Sequence, residues 1–213
     1  MRYKNILFDF DGTIIDSAAG ITRSAQYALK KFGIIVEHQE ELVHFIGPPI
    51  KNSFMDRYGF SEQDALQAVK YYRKHFDEHG VFDNTLYPGI VELLKKLHSE
   101  GRLLFIATAK PTVYTEQILD KYNLRHLFTY VCGANLDGTR TDKTEIIKTV
   151  IDETQISLEE TVMVGDRKYD IIGAHNNKID SIAVGYGFGS EEELKAANPT
   201  QYVKTVEDLY KVL

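Results

Sequence analysis

Five short apolar runs, separated by stretches of helical periodicity, constrain the fold of this chain more than anything else in it. They are Ile6-Leu7-Phe8, Leu103-Leu104-Phe105-Ile106-Ala107, Thr129-Tyr130-Val131, Val162-Met163-Val164 and Ile182-Ala183-Val184. Runs this short, with little polar alternation, fit strands covered on both faces, as in a parallel sheet. Between them Ile90, Leu93, Leu94 and Leu97 recur at helical spacing, as do Ile146, Ile147 and Val150, so each helix has one apolar face to lay on the sheet. The expected class is therefore α/β, a Rossmann-like parallel sheet with crossover helices. Open sheets of this kind bind ligands at the carboxyl ends of their strands, which directs attention to the residues following each run.

The pattern is interrupted once. From Ser17 to Tyr87 there is no convincing strand; Ile21, Ala25, Ala28, Leu29 and Phe32 share a helical face that Gly33 should end, and Ser61 should cap a second helix running through Tyr71-Tyr72. The expected organisation is a core of residues 1–16 and 88–213 with a small helical insert at 17–87. The tyrosine pair reads as core or interface filling, because no basic residues interleave it as nucleic-acid stacking would require. A length of 213 residues is enough for such a core without disulfide staples, and the single cysteine, Cys132, excludes an internal disulfide. The stretch Met1-Arg2-Tyr3-Lys4 enters the first run without the apolar segment of a secretion signal, and no run is long enough to span a bilayer, so a cytoplasmic protein is expected. A net charge of −6 argues against nucleic acid or an anionic membrane as partner and favours a small molecule, with the chain a monomer or dimer.

The first run ends in Asp9-Phe10-Asp11-Gly12-Thr13. Side chains alternate along an extended strand, so Asp9 and Asp11 point the same way. Ionised aspartates at the end of a buried strand need a partner, and a hard divalent cation, typically Mg2+, is the usual one. An Asp-Gly hairpin turn would account for Asp11 and Gly12 but leaves Asp9 unexplained. The fourth run ends similarly, in Gly165-Asp166-Arg167-Lys168-Tyr169-Asp170. Thr108-Ala109-Lys110-Pro111 follows the second run, where a hydroxyl and backbone amides at a strand-to-helix turn suit an anion, although an ordinary helix cap would also place a threonine there. Lys110 reads either as a second phosphate contact or as a solvated turn residue. Lys143 opens a helix, where it opposes the macrodipole and so asks for a local anion; the plainer alternative is a surface lysine paired with Asp142 or Glu145. Gly185-Tyr186-Gly187-Phe188-Gly189 has the look of a dinucleotide loop, but its glycine spacing is short by one and it feeds an acidic helix start, so it reads as a loop bordering the site.

Taken together, the strand followed by Asp-Phe-Asp-Gly-Thr, Thr108, Lys143 and the Gly165-Asp166…Asp170 segment resembles the haloacid dehalogenase superfamily, in its phosphoglycolate phosphatase-like group with a helical cap. The resemblance implies an aspartyl-phosphate mechanism: Asp9 as nucleophile, Asp11 as acid and then base, and Lys143, Thr108 and Ala109 on the phosphoryl group. It also implies Mg2+ held by Asp9, the Asp11 carbonyl and Asp166, with Asp170 orienting a ligand water or Lys143. Within the insert, the resemblance implies that the loop from Phe45 to Ile50 helps select the leaving group, through Gly47, Pro48 and nearby Lys51 or Arg23; a plain turn between two helices of the insert is the alternative reading. The expected activity is Mg2+-dependent hydrolysis of a small phosphorylated metabolite, with phosphoglycolate as the leading name. A phosphomutase, a pyrophosphatase and a 5'-nucleotidase suit the same core, and a receiver-like phosphoacceptor domain is the non-enzymatic alternative.

Overall fold

The computed structural model describes residues 2–213; Met1, part of the N-terminal stretch read above, lies outside them. In chain order the elements are β1 (Asn5–Phe8), β2 (Ile15–Asp16), α1 (Ala18–Lys30), α2 (Ile50–Tyr58), α3 (Glu62–His75), β3 (Thr85–Leu86), α4 (Ile90–Ser99), β4 (Leu103–Pro111), α5 (Thr112–Lys121), β5 (Phe128–Ala134), α6 (Lys143–Thr154), β6 (Thr161–Gly165), α7 (Lys168–Asn176), β7 (Asp180–Val184), α8 (Glu191–Ala196), β8 (Gln201–Val203) and α9 (Val206–Val212). They form two units, Met1–Ile15 with Leu86–Leu213, and Asp16–Thr85.

The larger unit is built on a six-stranded sheet of order β5-β4-β1-β6-β7-β8, parallel at every pairing. From β1 the chain builds outward on one side through β4 and β5, then returns to the other side for β6, β7 and β8. The crevice at the carboxyl end of β1 is therefore the point where strand order reverses. One face of the sheet packs Leu7, Phe105, Cys132 and Met163 against Ile146, Ile147 and Val150 of α6 and Ala174 of α7. The face that buries Leu7 also carries, two residues on, Asp9.

The sheet departs from the sequence reading in two places. β8 was not anticipated, because Gln201-Tyr202-Val203 is too short and mixed to register as an apolar run. β4 runs on through Pro111, so Thr108 lies four residues before α5 and Pro111 occupies the cap position. Along this edge Ala107 faces Cys132 while Pro111 faces Ala134, so four steps on β4 answer two on β5 and the intervening residues bulge.

The smaller unit is helical apart from one short strand pairing at its boundary. Ser61 caps α3, its hydroxyl accepting from the Asp64 amide at 3.1 Å. Phe45, Phe54, Phe60 and Phe32 form a chain of ring contacts at 4.7–5.7 Å, and Tyr72, buried, stacks on Phe76 at 5.5 Å. The span read as strand-free does contain β3, whose two residues pair with β2. No helix among the described residues is long and apolar enough to cross a membrane.

Candidate functional site

The carboxyl ends of β1 and β6 and the first turns of α6 and α7 bring four charged side chains together in the larger unit. Asp9, Asp166 and Asp170 are all buried, and each offers an oxygen within 4.8 Å of the others. Lys143, at the first position of α6, is buried with them, its Nζ 2.7 Å from Asp9 Oδ1 and 2.6 Å from Asp170 Oδ1. The same ammonium donates to the Ala107 carbonyl at 2.9 Å. The reading of Lys143 as a surface residue paired with Asp142 or Glu145 is thus replaced by an ion pair with two buried acids. Asp142 instead caps α6, accepting from the Thr144 and Glu145 amides.

Each acid is held by a main-chain donor. The Phe10 amide donates to Asp9 Oδ1 at 2.7 Å, the Phe188 amide to Asp166 Oδ2 at 2.7 Å and the Arg167 amide to Asp170 Oδ2 at 3.0 Å. Both contacts of the Asp9 carboxylate fall on Oδ1, and no described residue bonds Oδ2. Asp166 Oδ1 is buried with no hydrogen-bond partner among the described residues.

These positions carry an electrostatic imbalance, because three buried carboxylates face one buried ammonium. Two like charges 4.8 Å apart repel by about 3.5 kcal/mol at an effective dielectric constant of ~20. Burial, opposed by the Lys143 charge and reinforced by Asp170, pushes Asp9 up to about 6. Burial, with Asp9 and Asp170 adding to it, lifts Asp166 well above the usual carboxylate range. Burial would lower Lys143, but the charges of Asp170 and Asp9 outweigh it and leave the ammonium more basic than usual. Buried oxygen donors with surplus negative charge, among them Asp166 Oδ1 without a hydrogen-bond partner, fit a hard divalent cation.

Asp11 stands beside this group with a partner of its own. It is half-buried, and Lys110 Nζ donates to its Oδ1 at 3.0 Å and its Oδ2 at 3.3 Å. Lys110 is itself buried, so the alternative of a solvated turn residue does not hold. Among the described residues no hydrogen bond ends on the Asp11 carbonyl. Thr108 is buried at the start of the bulge, where its hydroxyl accepts from the Lys110 amide at 3.2 Å; with the helix starting only at Thr112, the expectation of a helix N-terminus at Thr108 is corrected. Ala109, next in the bulge, is half-buried.

The Gly185–Gly189 loop borders the cluster through the Phe188 amide, and the acidic helix start that follows it supplies Glu193, which accepts from Arg167 Nε at 2.9 Å and from the Lys168 amide at 3.0 Å. The four residues read as selectivity determinants lie in the helical unit. Gly47 has φ 102°, Pro48 precedes α2, Lys51 pairs with Glu62 at 2.6 Å, and Arg23 pairs with Asp83 at 2.7 Å. Sequence reasoning did not find the Lys110–Asp11 pair or the Phe188 donor. The first had a signal in a lysine that breaks an otherwise apolar strand end, whereas a backbone amide leaves none.

Residues 6–184 match the family described as haloacid dehalogenase-like hydrolase. Over 213 residues, all of this chain and 96% of the relative, it is 45% identical to a protein named 5'-nucleotidase from Pseudomonas aeruginosa. It is 32% identical, over 98% of its length and 72% of the relative, to tyrosine-protein kinase PtkA of Mycobacterium tuberculosis. The crystal structure of a predicted phosphatase from Clostridium acetobutylicum superposes with a TM-score of 0.97 at 45% identity, covering 100% of this chain and 98% of that one.

Proposed function

The chain belongs to the haloacid dehalogenase-like hydrolases and is a phosphatase, and from that premise we propose that it hydrolyses a small phosphate monoester by way of a phosphoryl group carried on Asp9. The observation that carries this reading is the Asp9 carboxylate itself. One oxygen is fixed by Lys143 and the Phe10 amide, and the other has no bond to any described residue at the carboxyl end of the central strand.

Asp9 Oδ2 attacks phosphorus, forming one P–O bond as the ester P–O bond to the substrate oxygen breaks. Asp11 gives its proton to the departing alkoxide, then takes a proton from the water that attacks the aspartyl-phosphate and returns Asp9 to its free state. Lys143 holds Asp9 in place and offsets negative charge that gathers on the phosphoryl oxygens. Thr108 and Ala109, on the bulge of β4, provide a hydroxyl and a backbone amide for those oxygens. Mg2+ seated on Asp9, Asp166 and the Asp11 carbonyl, with Asp170 tied to Lys143 beside it, would supply further charge neutralisation.

For the substrate, the 45% identity with a 5'-nucleotidase over the whole chain moves a nucleoside 5'-monophosphate ahead of phosphoglycolate. We assign the choice among esters to the helical unit, with Gly47, Pro48, Lys51 and Arg23 as the candidate residues. The test is release of inorganic phosphate from a panel of nucleoside monophosphates, phosphoglycolate, pyrophosphate and hexose phosphates, with and without Mg2+. Continuous phosphate release, fastest with a nucleoside monophosphate, is the expected result. Isomerisation of a hexose phosphate without free phosphate would make the protein a mutase and overturn the reading.

A further inference from the structure

The Gly185–Gly189 loop has no part in the chemistry above, yet its middle residues sit hard against Asp166. A Cβ built on Gly187 would lie 2.4 Å from Asp166 Cβ, 2.5 Å from its Oδ2 and 2.3 Å from the Gly12 carbonyl oxygen. On the other side, a Cβ on Gly12, whose φ is +81°, would lie 2.1 Å from Asp166 Oδ2 and 2.7 Å from Oδ1. The Asp166 side chain therefore occupies a slot whose two walls are bare glycine backbone from loops far apart in the chain. Within it the Phe188 amide takes Oδ2 at 2.7 Å, and Oδ1 is left buried without a hydrogen-bond partner.

We propose that Gly187 and the Phe188 amide are positioning elements for the metal site, fixing the rotation of the Asp166 carboxylate so that Oδ1 is the oxygen presented to the cation. The inference rests on the reading of Asp9 and Asp166 as cation ligands. A carboxylate free to rotate in a wider slot would give either oxygen to either partner, and binding a cation would then carry the cost of ordering it. The glycine pair removes that freedom sterically, and the amide assigns the two oxygens to different tasks. Tyr186, the residue before Gly187, fastens the loop to the same turn from outside, its hydroxyl donating to the Thr13 carbonyl at 3.1 Å.

The test measures Mg2+ binding directly, by titration calorimetry and by the Mg2+ concentration dependence of the melting temperature, in the full chain and in two variants. Gly187→Ala presses on Asp166. Gly185→Ala disturbs the same loop, but its new Cβ meets the Tyr202 hydroxyl, 2.2 Å away, instead. Gly187→Ala is expected to weaken Mg2+ binding by about tenfold or more with its circular dichroism unchanged, and high Mg2+ should restore most of its kcat. Gly185→Ala should bind within about twofold of the parent protein. A folded Gly187→Ala protein with undiminished Mg2+ affinity would overturn the inference, and so would equal weakening in both variants. Should Gly187→Ala not fold, amide hydrogen exchange in the unaltered protein decides: the Phe188 amide must be protected in both metal-free and Mg2+-loaded protein, and exchange at loop rates in either overturns the assignment. If the unaltered protein itself binds no Mg2+, the underlying reading of the site fails together with this one.

Discussion

Lys143 at the start of α6 and Lys51 at the start of α2 make ion pairs of the same length, yet they do different things for the molecule. Lys143 lies 2.6 Å from Asp170 and 2.7 Å from Asp9 with side chains no more than 6% exposed, whereas Lys51 lies 2.6 Å from Glu62 with the two side chains 35% and 70% exposed. Water screens the second pair and offers both partners an alternative, so it adds little. Nothing screens the first, and removing the ammonium would leave three carboxylates facing one another without it. Burial, more than contact distance, separates a charge that organises a site from one that decorates a surface.

Asp9→Asn should break this contrast most severely. Amide and carboxylate have nearly the same shape, so the fold and its near-ultraviolet circular dichroism should persist while steady-state phosphate release falls at least about 10³-fold. Substantial remaining turnover would remove Asp9 as nucleophile. Lys143→Met tests the buried pair. Urea denaturation in a chelating buffer should show a loss of about 3–5 kcal/mol, with part of it recovered on adding Mg2+. A loss under about 1 kcal/mol would place Lys143 with the surface lysines.

The acid cluster also predicts a pH dependence. Asp9, pushed up to about 6, and Asp166, lifted well above the usual carboxylate range, hold protons more tightly in the folded chain than in the unfolded one. Their contribution to the stability of the metal-free protein is fully present below about pH 4, the unfolded carboxylate range, and is lost as pH rises through the folded values. A cation binds the deprotonated form, so the rise in Tm caused by Mg2+ should be small near about pH 5 and larger near about pH 8. An increment independent of pH would contradict the assignment of these acids as ligands. The smallest effect is expected from Lys51→Ala, which should leave stability and the rate with an aryl phosphate unchanged while altering the ranking of natural esters. An equal loss on every ester would count against a selectivity role.

The contrast also marks what the sequence could disclose. The α/β sheet was legible because β1, β4, β6 and β7 are nearly pure apolar runs, and the acids stood out because they close two of those runs. Which charges would meet was harder to see. Lys143 announced a need for an anion by its position against the helix dipole, but Lys110 read equally as a phosphate contact or a solvated turn residue, because the continuation of β4 through a proline is invisible to pattern. Thr108 was misplaced at a helix start for the same reason. β8 carries too few residues to declare itself. The slot around Asp166 depends on Gly12 and Gly187 meeting across the closed fold, and nothing local to either glycine reports the other.

The central claim is that the phosphoryl group resides on Asp9 during turnover. The most direct measurement is acid quenching of the Mg2+-loaded enzyme as it turns over a monoester labelled in its phosphoryl group, followed by peptide mapping. The account predicts acid-stable, base-labile label on the peptide containing Asp9, absent from Asp9→Asn. Label on any other residue, or label and turnover persisting in Asp9→Asn, would contradict it.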